Sequence, residues 1–145
     1  NMTAAVLLSQ IEQIDDILKT KQKVYNIYKS NLNNSNLILQ KIDNDIEQSY
    51  WNIVIRIKDN TSYKYIENKL DEYFIETRPM FLPIQKFKHL CNIKCTENTN
   101  SFKIHNEYIF IPCNNIKEHN IKYICNILQN IKLEHYYSYP YEASK

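Results

Sequence analysis

Apolar residues recur at alternating four- and three-residue steps along the start of the chain, at Leu7, Ile11, Ile14, Leu18, Tyr25, Tyr28 and Leu32, with Lys21 on the same line. That spacing predicts a helix of about thirty residues, roughly 45 Å long, carrying one apolar stripe. Asn31, Asn33, Asn34, Ser35 and Asn36 are turn formers that should stop it. The chain contains no glycine, so an asparagine is expected at any left-handed position that ends the helix. A helix this long exceeds what a small domain requires. It is expected to pack across a neighbour or to join this domain to another.

The period then changes from helical to alternating. Residues 37–39 predict a short strand and residues 50–58 a longer one, with Trp51, Ile53, Ile55 and Ile57 on one face and Asn52, Val54, Arg56 and Lys58 on the other. Residues 59–62 supply capping chemistry for a helix that carries Ile66, Leu70 and Tyr73 inward. Further on, the pattern predicts a strand at 75–78, a helical turn at 86–91, a polar loop at 92–101 and a strand at 108–111 stopped by Pro112. A last helix is expected over 117–132, with Ile121, Ile124, Cys125, Leu128 and Ile131 on its buried face. This order predicts an α+β domain: a long N-terminal helix plus a small, largely antiparallel sheet with helices on one face.

Composition narrows the function classes. A chain of 145 residues with 43% hydrophobic and 23% charged residues is the size and polarity of one globular domain. No apolar run is long enough to cross a bilayer, so no membrane partner is expected, and the first residues lack a basic leader, which predicts a cytoplasmic setting. A formal net charge of +2 is too small for a polyanion-binding surface, so no nucleic acid is expected as a partner. Cys91, Cys95, Cys113 and Cys125 lack paired C-x-x-C spacing and read as reduced thiols. The irregular spacing of His89, Cys91, Cys95 and His105 argues against a zinc site. The absence of glycine removes any phosphate loop of the P-loop or dinucleotide-binding kind.

The segment at 75–86, IETRPMFLPIQK, combines an arginine, an aromatic and two prolines in a way that a core does not need. Pro79 and Pro83 fix φ and push the residues before them toward extended geometry, so 78–82 should be a stiff extended loop. Arg78 on such a loop offers a planar fork of donors to a phosphate or carboxylate. The plainer reading is a surface salt bridge. Both stay open at the level of the residues.

Four pieces, in order, carry a resemblance: AAVLLSQIEQIDDILKTKQKVYNIY at the start, YWNIVI at 50–55, IETRP followed by Phe81, and IFIPC at 109–113 followed by Ile121 and Ile124. Together they resemble the C-terminal domain of the pyridoxal-phosphate-dependent nucleotide-sugar aminotransferases, the DegT/DnrJ/EryC1/StrS group of the aspartate aminotransferase fold (type I). The resemblance implies that residues 1–135 are the small C-terminal domain of such an enzyme and that 136–145 form a tyrosine-rich tail. It implies a full-length homodimer that moves an amino group from glutamate to an NDP-4-keto-6-deoxyhexose. The cofactor, pyridoxal 5'-phosphate, and its catalytic lysine would lie in a preceding large domain, leaving no catalytic, cofactor-binding or metal-binding residue in this chain. It also implies that Arg78, Phe81 and Gln85 lie near the nucleotide-sugar. Three departures stand out: Thr3 where a glutamine usually precedes the two alanines, Tyr73 and Phe74 in place of a glycine turn, and Gln85 where many members have histidine. The alternative is a stand-alone, non-catalytic interaction module with the same fold.

Overall fold

The computed structural model describes residues 1–33, 36–43, 45–58, 63–90 and 99–131. Its first departure from the sequence reading is that the opening stripe folds as two helices, α1 (Met2–Ile11) and α2 (Ile14–Asn31). At the break Gln13 leaves helical geometry (φ −112°, ψ 9°), and its backbone N–H donates to Gln10 O at 3.2 Å, one residue short of the α-helical partner. Asp15 and Asp16 follow at once, and carboxylates at that position favour a fresh helix N-terminus. The two halves have different fates. α2 buries Val24, Tyr25 and Tyr28, whereas α1 buries nothing and leaves Met2, Val6, Leu7, Leu8 and Ile11 all more than half exposed.

The end of α2 also differs from expectation. Leu32 takes an extended conformation (φ −92°, ψ 92°) and no asparagine there is left-handed; Asn34 and Ser35 lie outside the described residues. The last turn is satisfied by side chains instead, with Asn31 donating to Ile27 O at 2.7 Å and Gln129 donating to Asn31 O at 2.5 Å.

The sheet has four antiparallel strands in the order β1-β2-β4-β3, formed by β1 (Leu37–Leu39), β2 (Ile53–Ile57), β3 (Arg78–Pro79) and β4 (Tyr108–Ile111). Ile53, Ile55 and Ile57 point to one face, where Ile109 and Ile111 join them by register. That face is covered by α2, by Ile66 and Leu70 of α3 (Tyr63–Asp71), and by Ile121, Ile124, Cys125, Ile127 and Leu128 of α5 (Glu118–Asn130). Trp51 does not extend this row. Tyr50 is left-handed (φ 50°), the strand begins only at Ile53, and Trp51 stays 66% exposed.

Other bounds shift as well. Where a strand at 75–78 was expected, β3 is only Arg78–Pro79: residues 75–77 do not pair, although Ile75 is still buried, and Pro79 has no N–H to carry the ladder further. Tyr73 lies past the end of α3 and is about half exposed, not inward. The helical turn expected at 86–91 is present as the 3-10 turn Lys88–Leu90, and a further 3-10 turn, Ile84–Lys86, precedes it. Part of the expected polar loop is helical, as α4 (Thr99–Glu107); the helix cap at 59–62, residues 91–98 and the tail at 136–145 lie outside the described residues. Ile131 ends α5 half-buried. No helix among the described residues is long and apolar enough to cross a membrane.

A fold without glycine must still turn corners. After α3, Phe74 N–H donates to Asp71 O at 2.9 Å and Ile75 N–H to Leu70 O at 3.0 Å, the paired bonds of a Schellman motif. The left-handed position at its centre is Phe74 (φ 58°), whose ring is 98% exposed and packs on nothing that would offset the strain. Phe74→Gly is expected to raise stability by about 0.5–1 kcal/mol, the relief of left-handed strain less the added freedom of the unfolded chain. A rise in denaturant midpoint at unchanged slope is the check.

Tyr28 sits at the centre of the core, fully buried, and its hydroxyl donates to Pro112 O at 2.7 Å. Burial, then the neighbouring thiols of Cys125 and Cys113, push its phenol above the ordinary range. Tyr28→Phe keeps the ring and loses the bond, and should cost about 1 kcal/mol in denaturant unfolding. Burial likewise pushes the Cys125 thiol up to about 11. A thiol near about 8.5 in the unfolded chain then contributes stability that is complete below that pH and is lost as pH rises toward the folded value. Wild type should therefore lose more stability than Cys125→Ala between about pH 8 and 11, read as the difference in denaturant midpoints.

Candidate functional site

While Ile109 and Ile111 of β4 face the core, Phe110 between them faces the opposite side of the sheet beside Val54, its register partner on β2. β3 pairs Arg78 with Phe110 and Pro79 with Ile109. The chain then leaves the sheet and folds back so that the Phe81 ring meets Phe110 edge-on, with centroids 5.7 Å apart. Pro83 is buried and pins the far end of this stretch. Arg78 and Phe81 thus share one neighbour, Phe110, and both are presented to solvent, Phe81 at 71% exposure.

Arg78 donates from Nε and Nη2 to a single oxygen, Glu76 Oε1, at 3.3 and 3.1 Å. This is the salt bridge of the plainer reading, and both side chains are about three-quarters exposed. An exposed pair of this kind contributes little to stability and yields readily to a competing anion. Beside it lies an open recess of about 310 Å³, lined by Arg78, Glu76, Thr77, Asn52, Phe110 and the backbone turn from Ile111 to Asn114. Thr77 Oγ1 is buried there with no hydrogen-bond partner among the described residues. Lys21 of α2 fixes the far wall, its ammonium donating to Trp51 O at 3.5 Å and to the Asn114 side chain, while the Cys113 thiol donates to Trp51 O at 3.6 Å.

The three residues expected near a nucleotide-sugar are only partly brought together. Arg78 lines the recess and Phe81 stands next to it on Phe110, but Gln85 does not line it and sits half-buried on the 3-10 turn Ile84–Lys86. Glu76 and Thr77 belong to the motif at 75–79, but nothing in the sequence alone assigns either a place in a site. Asn52 is legible only as an outward position of the strand expected at 50–58, and Asn114 carries no signal, since only folding brings either of them to Arg78. His105 is no free ligand: it is buried with Nδ1 2.9 Å from Met80 O. Cys91 and Cys95, whose spacing with it argues against zinc, lie outside the described residues.

The described residues do not fit pyridoxal phosphate. A lysine bonded to that cofactor needs a desolvated pocket, and no described lysine is buried. Nor does any glycine loop exist to cradle its phosphate.

A model of the DegT/DnrJ/EryC1/StrS aminotransferase family matches residues 1–129. The chain belongs to that family. Its relatives include the GDP-perosamine synthase of Escherichia coli O157:H7, 36% identical over 84 residues that cover 58% of this chain and 23% of that protein. The GDP-perosamine synthase of Vibrio cholerae is 27% identical over 135 residues, covering 90% of this chain and 36% of that protein. The fold is similar to that of the sugar aminotransferase CalS13 from Micromonospora echinospora, with a TM-score of 0.73 at 14% identity over 84% of this chain and 32% of that one. At that identity the likeness speaks for the fold, and it agrees with the α+β lobe of the aspartate aminotransferase type. The chain therefore spans between 23% and 36% of the length of these curated relatives.

Proposed function

We propose that this chain is the C-terminal part of a pyridoxal-phosphate-dependent aminotransferase that moves an amino group from glutamate to an NDP-4-keto-6-deoxyhexose. The cofactor and its lysine belong to a region outside this chain, and the working enzyme is a cytoplasmic homodimer. The observation that carries the reading is the exposed pair Arg78 and Phe81, set on a rigid loop beside a recess in a chain of this aminotransferase family. The bare apolar flank of α1 supports it too, since Val6, Leu7, Leu8 and Ile11 need cover that the described residues do not supply.

In this reading the chain binds and orients. Arg78 exchanges the Glu76 carboxylate for a diphosphate oxygen, using a planar fork that suits phosphate better than a lysine would. Phe81, braced by Phe110, offers an apolar face to the base or sugar and keeps water from one side of it. The Asn52 and Asn114 amides give the recess polar partners for sugar hydroxyls. When bound, the cofactor supplies the electron-withdrawing chemistry of amino-group transfer.

In the full-length enzyme, Arg78→Ala should raise the Kd for GDP-perosamine about tenfold or more while shifting Tm little, because a charge-assisted contact is lost and no packing is. Titration calorimetry beside a thermal melt measures both. Unchanged affinity with lowered Tm would return Arg78 to the salt-bridge reading.

A further inference from the structure

The loop that carries Arg78 and Phe81 is held from outside the sheet by α4, and the contacts come from one face of that helix. His105 is buried, and its Nδ1 lies 2.9 Å from the carbonyl oxygen of Met80, the residue between Pro79 and Phe81. A carbonyl can only accept, so Nδ1 carries the hydrogen and donates it. One turn earlier, at i−3 and so on the same face, the Phe102 ring lies 5.6 Å from the Lys86 ammonium, on the 3-10 turn Ile84–Lys86 that follows the loop. On the other side of His105, the Tyr63 ring of α3 packs at 5.7 Å and fixes the imidazole in place. Glu107, at the end of α4, locks the helix to β2 by accepting from Arg56 Nε and Nη2, both at 2.8 Å. Besides the His105 contact, the loop between the two prolines is held where Phe81 rests on Phe110 and where Pro83 is buried. β3 gives it two paired residues, and Pro79 cannot donate.

We propose that His105 is a positioning residue for the nucleotide-sugar site. Its Nδ1–H grips the Met80 carbonyl and so fixes the turn that aims Arg78 on one side and Phe81 on the other, with α4 as the rigid support. This rests on the reading of the 78–81 segment as the substrate loop. His105 itself touches no substrate. Its effect is geometric: releasing the Met80 peptide lets the two flanking side chains lose their common orientation, and binding then has to restore that order.

Two variants of the full-length enzyme separate this from mere packing. Asparagine places an amide donor near the Nδ1 position, whereas glutamine reaches toward the Nε2 position and loses it. With GDP-perosamine as the probe, His105→Gln should raise Kd about fivefold or more, the loss of one buried hydrogen bond passed on to binding, and His105→Asn should stay within about twofold of wild type. Combined with Arg78→Ala, the glutamine substitution should add less than its separate effect, because it acts partly through Arg78. If both His105 variants bind like wild type while Arg78→Ala binds weakly, the loop reading stands and the positioning role is overturned. If Arg78→Ala also binds like wild type, the substrate-loop reading fails and the positioning role falls with it. A lower Tm with unchanged Kd leaves His105 a packing residue and overturns the proposal. Should His105→Gln not fold, Phe102→Leu removes the half-buried ring under Lys86 from the same helix face; a weaker Kd supports the clamp and an unchanged one overturns it.

Discussion

Because β2 and β4 pair with Ile53 opposite Ile111 and Ile55 opposite Ile109, every second residue of both strands is committed to the face beneath α2 and α5. The alternation of a strand leaves no choice about the remainder: Val54 and Phe110 must emerge on the other side. A slip of one residue would drive Phe110 into the core and lift Ile109 and Ile111 out. The same register therefore fixes the hydrophobic centre and, through Phe110, the platform against which Phe81 and Arg78 are set. Tyr28 ties the two sides together, since its ring lies in the core and its hydroxyl reaches the carbonyl of Pro112 at the end of β4, in the turn that walls the recess.

The parts of this arrangement that were legible in the sequence are those governed by local period or by proline. The alternation of Ile53, Ile55 and Ile57, the strand at 108–111 with its stop at Pro112, and the buried face of α5 all follow from spacing alone. The extended presentation of Arg78 follows from Pro79 and Pro83. What escaped has a physical reason in each case. The break at Gln13 depends on how backbone hydrogen bonds are shared at a new helix N-terminus, which leaves an unbroken apolar stripe in the sequence. α4 has few apolar positions and a weak face, because its buried contacts are made by a histidine and an acid rather than by aliphatic side chains. Trp51 misled because β-period counting continued past a left-handed Tyr50 that had already turned the chain.

The site shows the same division. Arg78 and Phe81 were placed beside one another by a resemblance covering a contiguous motif, and the fold gives them a shared neighbour. Gln85, only four residues further along, goes to a separate turn because Pro83 is drawn into the interior between them. Contacts that join distant segments, such as Lys21 with Trp51 and Asn114, leave no trace in linear spacing. A chain lacking glycine adds a further constraint, since Tyr50, Phe74 and Asn115 must accept the left-handed conformations that glycine would take without strain. Two of these three residues border segments that shape the recess: Tyr50 precedes Asn52, and Asn115 follows Asn114.

The sheet is also notable for its rims. Its outer strands are three and two residues long, and the shorter of them ends in Pro79, which has no N–H to offer. A neighbouring polypeptide finds almost no free ladder to extend, so strand addition of the kind that seeds fibrils is denied at both borders. The apolar side of α1 is a different kind of surface, one that offers side chains and no open strand to whatever covers it.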